Sequence, residues 1–479
     1  MGSRAFRWLL GRLAREREGS TALEEVISSY GNPRAPRGHR IKYWAFHKFI
    51  DHLRGPVSVE TFRSRLAENA PTVRGVVIAA RSIARFGLTA PQKFTAPLFA
   101  VWNITSRCNL ACRHCYQSSE HAARADELGG EQRLAVVDKL GQGGVPMLAI
   151  AGGEPTVCPD LLAVLRRART YRMHTTIATN GVTMTEQLAG QIAEAGARYV
   201  EVSLDSVDPA RHDAFRGVPG MWERAVRGAR IVARTNGLRL GIAMCVHRGN
   251  IGEVREMIEL AIELGAGCFA HFNFIPVGRG LKMVREDITP AQREELLGLL
   301  HETMDSGRIG VISTAPQLGR VCLTHAAGDD GRFTCSHAGS GSGAKARLVA
   351  KYLGGCGAGR TYVCIEPNGD VTPCVYLPHR VMGNLASGEL ETIFRNGYYD
   401  LLNDRTRRSH HCGACEFASF CGGCRARSDA YFGRLDAGDP GCVLNQKCWD
   451  ELVASGVVVE DLAEKPEDML LVPTRHGLA

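Results

Sequence analysis

The residues Cys108-Asn109-Leu110-Ala111-Cys112-Arg113-His114-Cys115 put three thiols at x3 and x2 spacing. Iron–sulfur clusters normally take four cysteine thiolates, so three can hold three irons of a cubane and leave the fourth iron open to a substrate or cofactor. Zinc is the competing chemistry, with His114 available as a fourth ligand. A second group begins at Cys356 and continues through Cys364, Cys374, Cys412, Cys415, Cys421, Cys424, Cys442 and Cys448. Its Cys-x2-Cys pairs suit either further clusters or a zinc ribbon. Between the two groups, Gly152-Gly153-Glu154-Pro155 offers paired glycines that let backbone approach a ligand closely. The carboxylate beside them can accept from an ammonium.

These residues need a scaffold that brings distant stretches together. Residues 98–104 read as a buried strand. Thr105-Ser106-Arg107 leaves it, so the three cysteines sit on a loop at a strand's C-terminal end, where the active sites of β/α barrels gather. Further strands are predicted over 147–151, 174–178, 199–204, 238–246 and 268–275, with helices over 161–170, 186–195, 222–234 and 251–264. Such alternation requires parallel strands joined by crossover helices. The strand ends then present, in order, the cysteine loop, Gly152 to Pro155, the turn Thr179-Asn180-Gly181, Ser203-Leu204-Asp205, and Asn273-Phe274-Ile275-Pro276. Tyr362 to Cys374 reads as a β-hairpin turning at Asn368-Gly369.

A Cys-x3-Cys-x2-Cys loop after a first strand, followed by these strand-end motifs, resembles the radical S-adenosylmethionine (SAM) superfamily. The order of the C-terminal cysteines is similar to the SPASM extension of that family. The resemblance covers roughly 98–450 and implies an α/β fold, a partial (β/α)6 TIM-type barrel. An N-terminal helical extension would precede it and a small cysteine-rich α+β domain would follow. The expected divisions are 1–95 (basic helical extension), 96–313 (barrel), 314–355 (flexible connector), 356–450 (auxiliary-cluster domain) and 451–479 (tail).

The resemblance also implies site residues. Cys108, Cys112 and Cys115 would ligate a [4Fe–4S] cluster. SAM would lie against Gly152, Gly153, Glu154, Pro155, Asn180, Ser203, Asp205 and Pro276. No catalytic residue is assigned beyond the SAM cluster. Two auxiliary [4Fe–4S] clusters would use Cys356, Cys374 and Cys424, with Cys364 as a candidate fourth ligand, and Cys412, Cys415, Cys421 and Cys442. The x2 spacing from Cys421 to Cys424 departs from the family's frequent x3, and Cys448 is surplus. In the family, SAM is reductively cleaved to a 5′-deoxyadenosyl radical that abstracts a hydrogen atom from the substrate, and auxiliary clusters handle the product electron. We therefore expect a radical SAM/SPASM oxidoreductase or maturase served by a reductant such as ferredoxin or flavodoxin. The 356–374 hairpin resembles the haem-pathway branch of the family, which implies a tetrapyrrole as substrate. A peptide (RiPP) maturase and a lipid-modifying enzyme are the alternatives. A non-catalytic Fe–S electron carrier would explain the cysteines but not the strand-end motifs.

Composition narrows the setting. Seventeen cysteines without an export signal indicate metal or redox sites in a reducing cytoplasm. The start has only a short apolar patch before Arg12, and Phe6 stands where N-myristoylation wants Ser or Thr. A net charge of +8 is mild for 479 residues, and no nucleic-acid role is expected. Basic, aromatic amphipathic segments over 6–13, 43–50 and 73–86 read as a helical cap on the barrel, or as a peripheral membrane contact. In the connector, Cys322, His325, Cys335 and His337 are candidates for a further metal site or a hydrogen-atom donor near substrate, or for incidental residues of a surface lid. Cys245 and Cys268 are read as core, and Cys158 as a neighbour of the site.

Overall fold

The computed structural model describes residues 3–17, 20–55, 57–325, 331–334, 340–396 and 398–460. Cys335, His337 and the tail beyond residue 460 lie outside them. The six predicted strands form as β1 (Phe99–Asn103), β2 (Met147–Ala151), β3 (His174–Thr179), β4 (Ala197–Ser203), β5 (Arg239–Val246) and β6 (Cys268–Asn273). Each is parallel to the next. Helices such as Leu161–Thr170, Glu186–Ala195 and Met221–Arg234 cross between them, as parallel neighbours require.

Strand side chains alternate between two faces. Ala100, Trp102, Leu148, Ile150, Val200 and Val202 point at the helices and are fully buried. The alternate positions Ala149, Ala151, Thr176, Ala178, Ser203 and Ala243 line a cavity of about 1030 Å³. Barrel interiors are ordinarily filled by bulky branched residues. Here small side chains keep the space open.

The sheet is larger than six units. β7 (Gly310–Ser313) follows the helix Pro290–Ser306 and adds parallel to β6. On the opposite edge, β8 (Tyr362–Ile365) adds parallel to β1, with Cys364 opposite Val101. The predicted hairpin then runs from β8 into β9 (Asp370–Thr372) and on to β10 (Gly383–Asn384). Gly369 supplies the left-handed residue at its turn (φ 88°). The result is one open ten-stranded sheet in the order β10-β9-β8-β1-β2-β3-β4-β5-β6-β7. β7 was missed because four residues give too short a pattern. The β8–β1 pairing was missed because parallel partners 263 positions apart (Tyr362 and Phe99) leave no local trace.

Part of the expected connector is ordered. Ser340–Ser342 pairs antiparallel with Arg332–Thr334, and Gly343 opens the helix Gly343–Leu353. Backbone pairing does not depend on side chains, so composition could not reveal the partner. Cys322 is fully buried on the helix Leu318–His325. At the N-terminus, α1 (Arg4–Leu13), α2 (Trp44–Arg54) and α3 (Ala70–Phe86) correspond to the three amphipathic segments. Leu10 and Ala14 pack on Val77 and Ala80 of α3. Arg7 donates to the carbonyls of Ala84 (3.1 Å) and Arg85 (2.6 Å).

A buried charge network fastens the C-terminal cysteine region to the barrel. Asp287 accepts from Arg293 (2.7 Å), Arg427 (2.7 Å) and Tyr431 (2.6 Å). Arg293 also reaches Asn273 at the end of β6 (3.0 Å), and Arg427 reaches the Phe274 carbonyl (2.9 Å). Asp439 accepts from the Cys424 and Gly441 N–H groups (2.7 and 2.9 Å), from Gln317 (2.7 Å) and from Arg427 (3.3 Å). Burial alone would raise the Asp287 carboxyl. Arg427 and Arg293 hold it below the usual carboxylate range. Removing one partner of such a buried set strands the others, at a cost of about 3–5 kcal/mol. An exposed pair such as Arg308–Glu259 is worth at most about 1 kcal/mol. Asp287→Ala is therefore expected to lose about 3–5 kcal/mol in denaturant unfolding, and Glu259→Ala under about 1 kcal/mol; equal losses would refute the ranking.

Candidate active site

The cysteine loop leaves the end of β1 and is held by backbone hydrogen bonds, by arginines and by packing. The Cys108 N–H donates to Glu120 O (2.7 Å), Ala111 N–H to Arg216 O (3.1 Å) and Arg113 N–H to Phe215 O (3.0 Å). Arg279 donates to Cys112 O (2.8 Å) and Ser119 O (2.6 Å). Arg216 reaches the Cys112 sulfur (3.7 Å) and pairs with Asp205 (2.6 Å). His114 lies flat on Phe215, ring centroids 4.5 Å apart, and burial pushes it down to about 3, so its imidazole is neutral. Burial pushes the Cys108 thiol up to about 12. All three sulfur-bearing residues line the cavity.

The paired glycines do more than approach a ligand. A Cβ on Gly152 would lie 2.6 Å from Thr105 O, and one on Gly153 would lie 2.2 Å from Arg107 O. The Gly153 N–H donates to Thr105 O (2.7 Å) and the Glu154 N–H to Arg107 O (2.8 Å). The end of β2 is thus pressed against the backbone that launches the cysteine loop. Glu154 is fully buried. Its carboxylate accepts from Thr156 N–H (3.0 Å), the Thr156 hydroxyl (2.5 Å), the Thr179 hydroxyl (2.7 Å) and Asn180 N–H (2.8 Å), tying β2 to β3. Gly152, Gly153, Glu154, Asn180, Ser203 and Asp205 all line the cavity, whereas Pro155 and Pro276 stand outside its lining. Asp205 also accepts from the Cys245 N–H (3.0 Å).

The C-terminal cysteines divide between two places. Cys356, Cys374 and Cys424 line the same cavity as the first three. Cys364 does not. It is buried in β8, where it accepts from Asn103 (3.4 Å) and faces Glu366 (3.5 Å). Burial, then Asp439 and the Cys356 and Cys374 sulfurs, pushes Cys424 well up. Burial, then Cys442 and Cys412, does the same to Cys421. Two left-handed glycines, Gly422 (φ 69°) and Gly423 (φ 65°), separate Cys421 from Cys424 and send the neighbours to different sets. This gives the x2 spacing a geometric meaning. Cys448 is buried beside Gly438.

Arg405, Arg408 and Arg425 are buried around these sulfurs. Burial, then Arg360, pushes Arg405 down to about 9; burial, then Arg425, does so for Arg408. Both remain cationic at neutral pH. Burying cations together is costly without an anion nearby, and cysteine-ligated iron–sulfur clusters are anionic. The donor set, the glycine cradle and these cations fit such clusters. Arg216, Arg279, Asp439 and the buried arginines escaped the sequence reading, because none belongs to a spacing pattern.

Comparison with known proteins follows this geometry. Residues 102–261 match the model of the radical SAM superfamily, and 356–416 match an iron–sulfur cluster-binding domain, SPASM. The chain is 30% identical over 350 residues to AdoMet-dependent heme synthase of Methanosarcina barkeri, covering 73% of this chain and 97% of that one. It is 30% identical over 352 residues to mycofactocin maturase MftC of Mycobacterium tuberculosis, covering 73% and 83%. Its fold is similar to that of Streptococcus suis SuiB in a structure bound to S-adenosylmethionine (TM-score 0.64, 16% identity, 90% of this chain and 94% of that one). With iron–sulfur models matched and enzymes as relatives, the zinc and electron-carrier alternatives fall away. The chain belongs to the radical SAM superfamily, as an enzyme that uses a [4Fe–4S] cluster with SAM and carries auxiliary clusters in a SPASM domain.

Proposed function

We propose that the protein removes a hydrogen atom from a propionate-bearing tetrapyrrole and releases the carboxyl as CO2. The observation that carries this reading is the match along 97% of a heme synthase. The cavity supports it: it is about 1030 Å³, with Tyr116, Tyr376 and Phe274 for a flat ring and Arg279 for a carboxylate. A peptide substrate is the second reading, favoured by equal identity to the mycofactocin maturase. When bound, the reduced cluster with SAM supplies the 5′-deoxyadenosyl radical, and the auxiliary clusters take the electron left on the product.

The chain's own residues have definite tasks in this reading. Cys108, Cys112 and Cys115 hold the first cluster. Gly152, Gly153, Glu154, Asn180 and Ser203 form the wall against which SAM lies, with Asp205 fixing Arg216 beside Cys112. Pro155 and Pro276 shape that wall from behind. Cys356, Cys374 and Cys424 hold the auxiliary cluster facing the cavity. Cys412, Cys415, Cys421 and Cys442 hold the second, and Cys364 stays in its strand. The electron for the first cluster comes from a carrier of ferredoxin or flavodoxin type.

The N-terminal helices support a peripheral membrane contact. Residues 1–95 hold seventeen Lys and Arg against seven Asp and Glu. Trp8 (63%), Ile41 (79%) and Trp44 (62%) are exposed. Arg4, Arg12 and Arg15 share a groove with Trp8. Basic surface with exposed indoles suits an anionic bilayer interface. No described helix is long and apolar enough to cross a membrane.

Three outcomes are expected. After anaerobic reconstitution and dithionite reduction with SAM, the wild type releases 5′-deoxyadenosine and converts an iron porphyrin with free propionates, losing CO2 by mass spectrometry. The triple variant Cys108→Ala/Cys112→Ala/Cys115→Ala does neither, and conversion of a precursor peptide instead would replace the tetrapyrrole. Gly153→Ala lowers bound iron by one cluster, because its Cβ meets the Arg107 backbone, while Gly190→Ala, which meets nothing, leaves iron unchanged. The full protein floats with vesicles containing phosphatidylglycerol and not with phosphatidylcholine alone; absence of flotation on the anionic vesicles sinks the membrane contact.

A further inference from the structure

This enzyme pairs most of its other buried guanidiniums with carboxylates. Arg216 meets Asp205 (2.6 Å), Arg133 meets Asp160 (2.6 Å), and Arg293 and Arg427 meet Asp287 (2.7 Å each). Arg405, Arg408 and Arg425 depart from that pattern. They are 5%, 6% and 1% exposed. Their hydrogen bonds go to backbone carbonyls: Arg405 to Ser419 (2.7 Å) and Gly354 (2.8 Å), Arg408 to Leu401 (2.6 Å) and Leu402 (2.8 Å), Arg425 to Leu435 (2.8 Å) and Ala437 (2.7 Å). None has a carboxylate partner among the described residues. Carbonyl oxygens orient a guanidinium without cancelling its charge.

The sequence keeps these cations close to sulfur by leaving side chains out. A Cβ on Gly423 would lie 2.4 Å from Arg425 Nη2 and 2.9 Å from Cys412 Sγ, so cation and thiol flank the same bare glycine. That Nη2 is buried and has no hydrogen-bond partner. A Cβ on Gly422 would lie 2.6 Å from Arg405 Nε, and one on Gly355 would lie 2.8 Å from Arg405 Nη2. Arg405 acts electrostatically on Cys356 and Cys421, and Arg408 on Cys356 and Cys412, so the cations straddle both cysteine sets. At the first cysteine loop the balance differs. Arg216 is neutralised by Asp205, and Arg279, which donates to the Cys112 carbonyl, is partly exposed.

We propose that Arg405, Arg408 and Arg425 are redox-tuning residues, whose unpaired charge favours the more negative, reduced state of the auxiliary clusters and raises their potential above that of the SAM cluster. Cluster potential responds to net charge, hydrogen bonding to sulfur and exposure. The proposal rests on the assignment of Cys356, Cys374 and Cys424 and of Cys412, Cys415, Cys421 and Cys442 to those clusters. It gives the product electron a downhill direction without requiring the first cluster to change.

The test is potentiometric titration of the reconstituted full-length enzyme, followed by electron paramagnetic resonance, with iron counted in each sample. In Arg405→Met and Arg425→Met the auxiliary signals are expected to appear at lower potential, by about tenfold or more in the reduction equilibrium, or ~59 mV for one electron. The SAM-cluster midpoint stays fixed. Full iron with unchanged auxiliary midpoints overturns the proposal. If the Met variants lose iron, Arg405→Lys and Arg425→Lys decide, because lysine keeps the charge but not the fork of carbonyl bonds. A near-wild-type midpoint in the Lys variants supports the charge role, and loss of iron there as well makes the role structural and overturns it. Auxiliary iron missing from the wild type sinks the ligand assignment beneath the proposal instead.

Discussion

The structure depends on a pair of buried carboxylates, Asp287 and Asp439, and the guanidinium of Arg427 that bridges them. Arg427 comes from the C-terminal cysteine region, Asp287 from the segment after β6, and Asp439 from the turn before Cys442. Fully buried charges are tolerable only when each is answered by others, so this bridge fixes how the cysteine region sits on the barrel. Its hydrogen bonds extend directly to the chemistry. Asp439 holds the Cys424 N–H, and Arg427 holds the Phe274 carbonyl at the end of β6. Cys424 and the end of β6 are therefore positioned by the same buried charge set.

A second constraint is steric. Small inward residues such as Ala151, Ala178, Ser203 and Ala243 leave room inside the barrel, which Tyr199 and Glu201 also line, while the outward face is packed solid with Trp102, Leu148, Ile150 and Val202. Cys108, Cys112 and Cys115 stand on one side of that space and Cys356, Cys374 and Cys424 on another. Glycine at 152 and 153 lets two backbone segments touch where any side chain would part them. Under the proposed assignment, a substrate in this cavity would lie within reach of both cysteine sets.

Charge is distributed with the same economy. Near the first cluster loop, Arg216 and Asp205 cancel. Around the auxiliary cysteines, guanidiniums rest on carbonyls and keep their charge. The excess of basic residues in the N-terminal helices is of another kind, lying largely at the surface beside the exposed Trp8 and Trp44.

Much of this was legible in the residues alone. Cysteine spacing pointed to iron–sulfur chemistry, and alternation of strand and helix patterns located six strands within a residue or two at each end, because periodicity and short loops are local properties of a chain. The hairpin at Asn368-Gly369 was equally local. Other features required the folded molecule. The family resemblance puts Cys421 and Cys424 in different sets, and the folded chain adds the two left-handed glycines, Gly422 and Gly423, that turn the backbone between them. Nothing in Tyr362 to Ile365 reveals that it joins β1, or that Cys364 is thereby turned away from the cavity. Arg427 and Arg405 look alike as letters, yet one is neutralised by aspartates and the other is not. The sequence determined which chemistry the chain could hold. The tertiary structure decided which donors face one another and which charges remain uncancelled, since both depend on segments hundreds of residues apart being brought within a few ångströms.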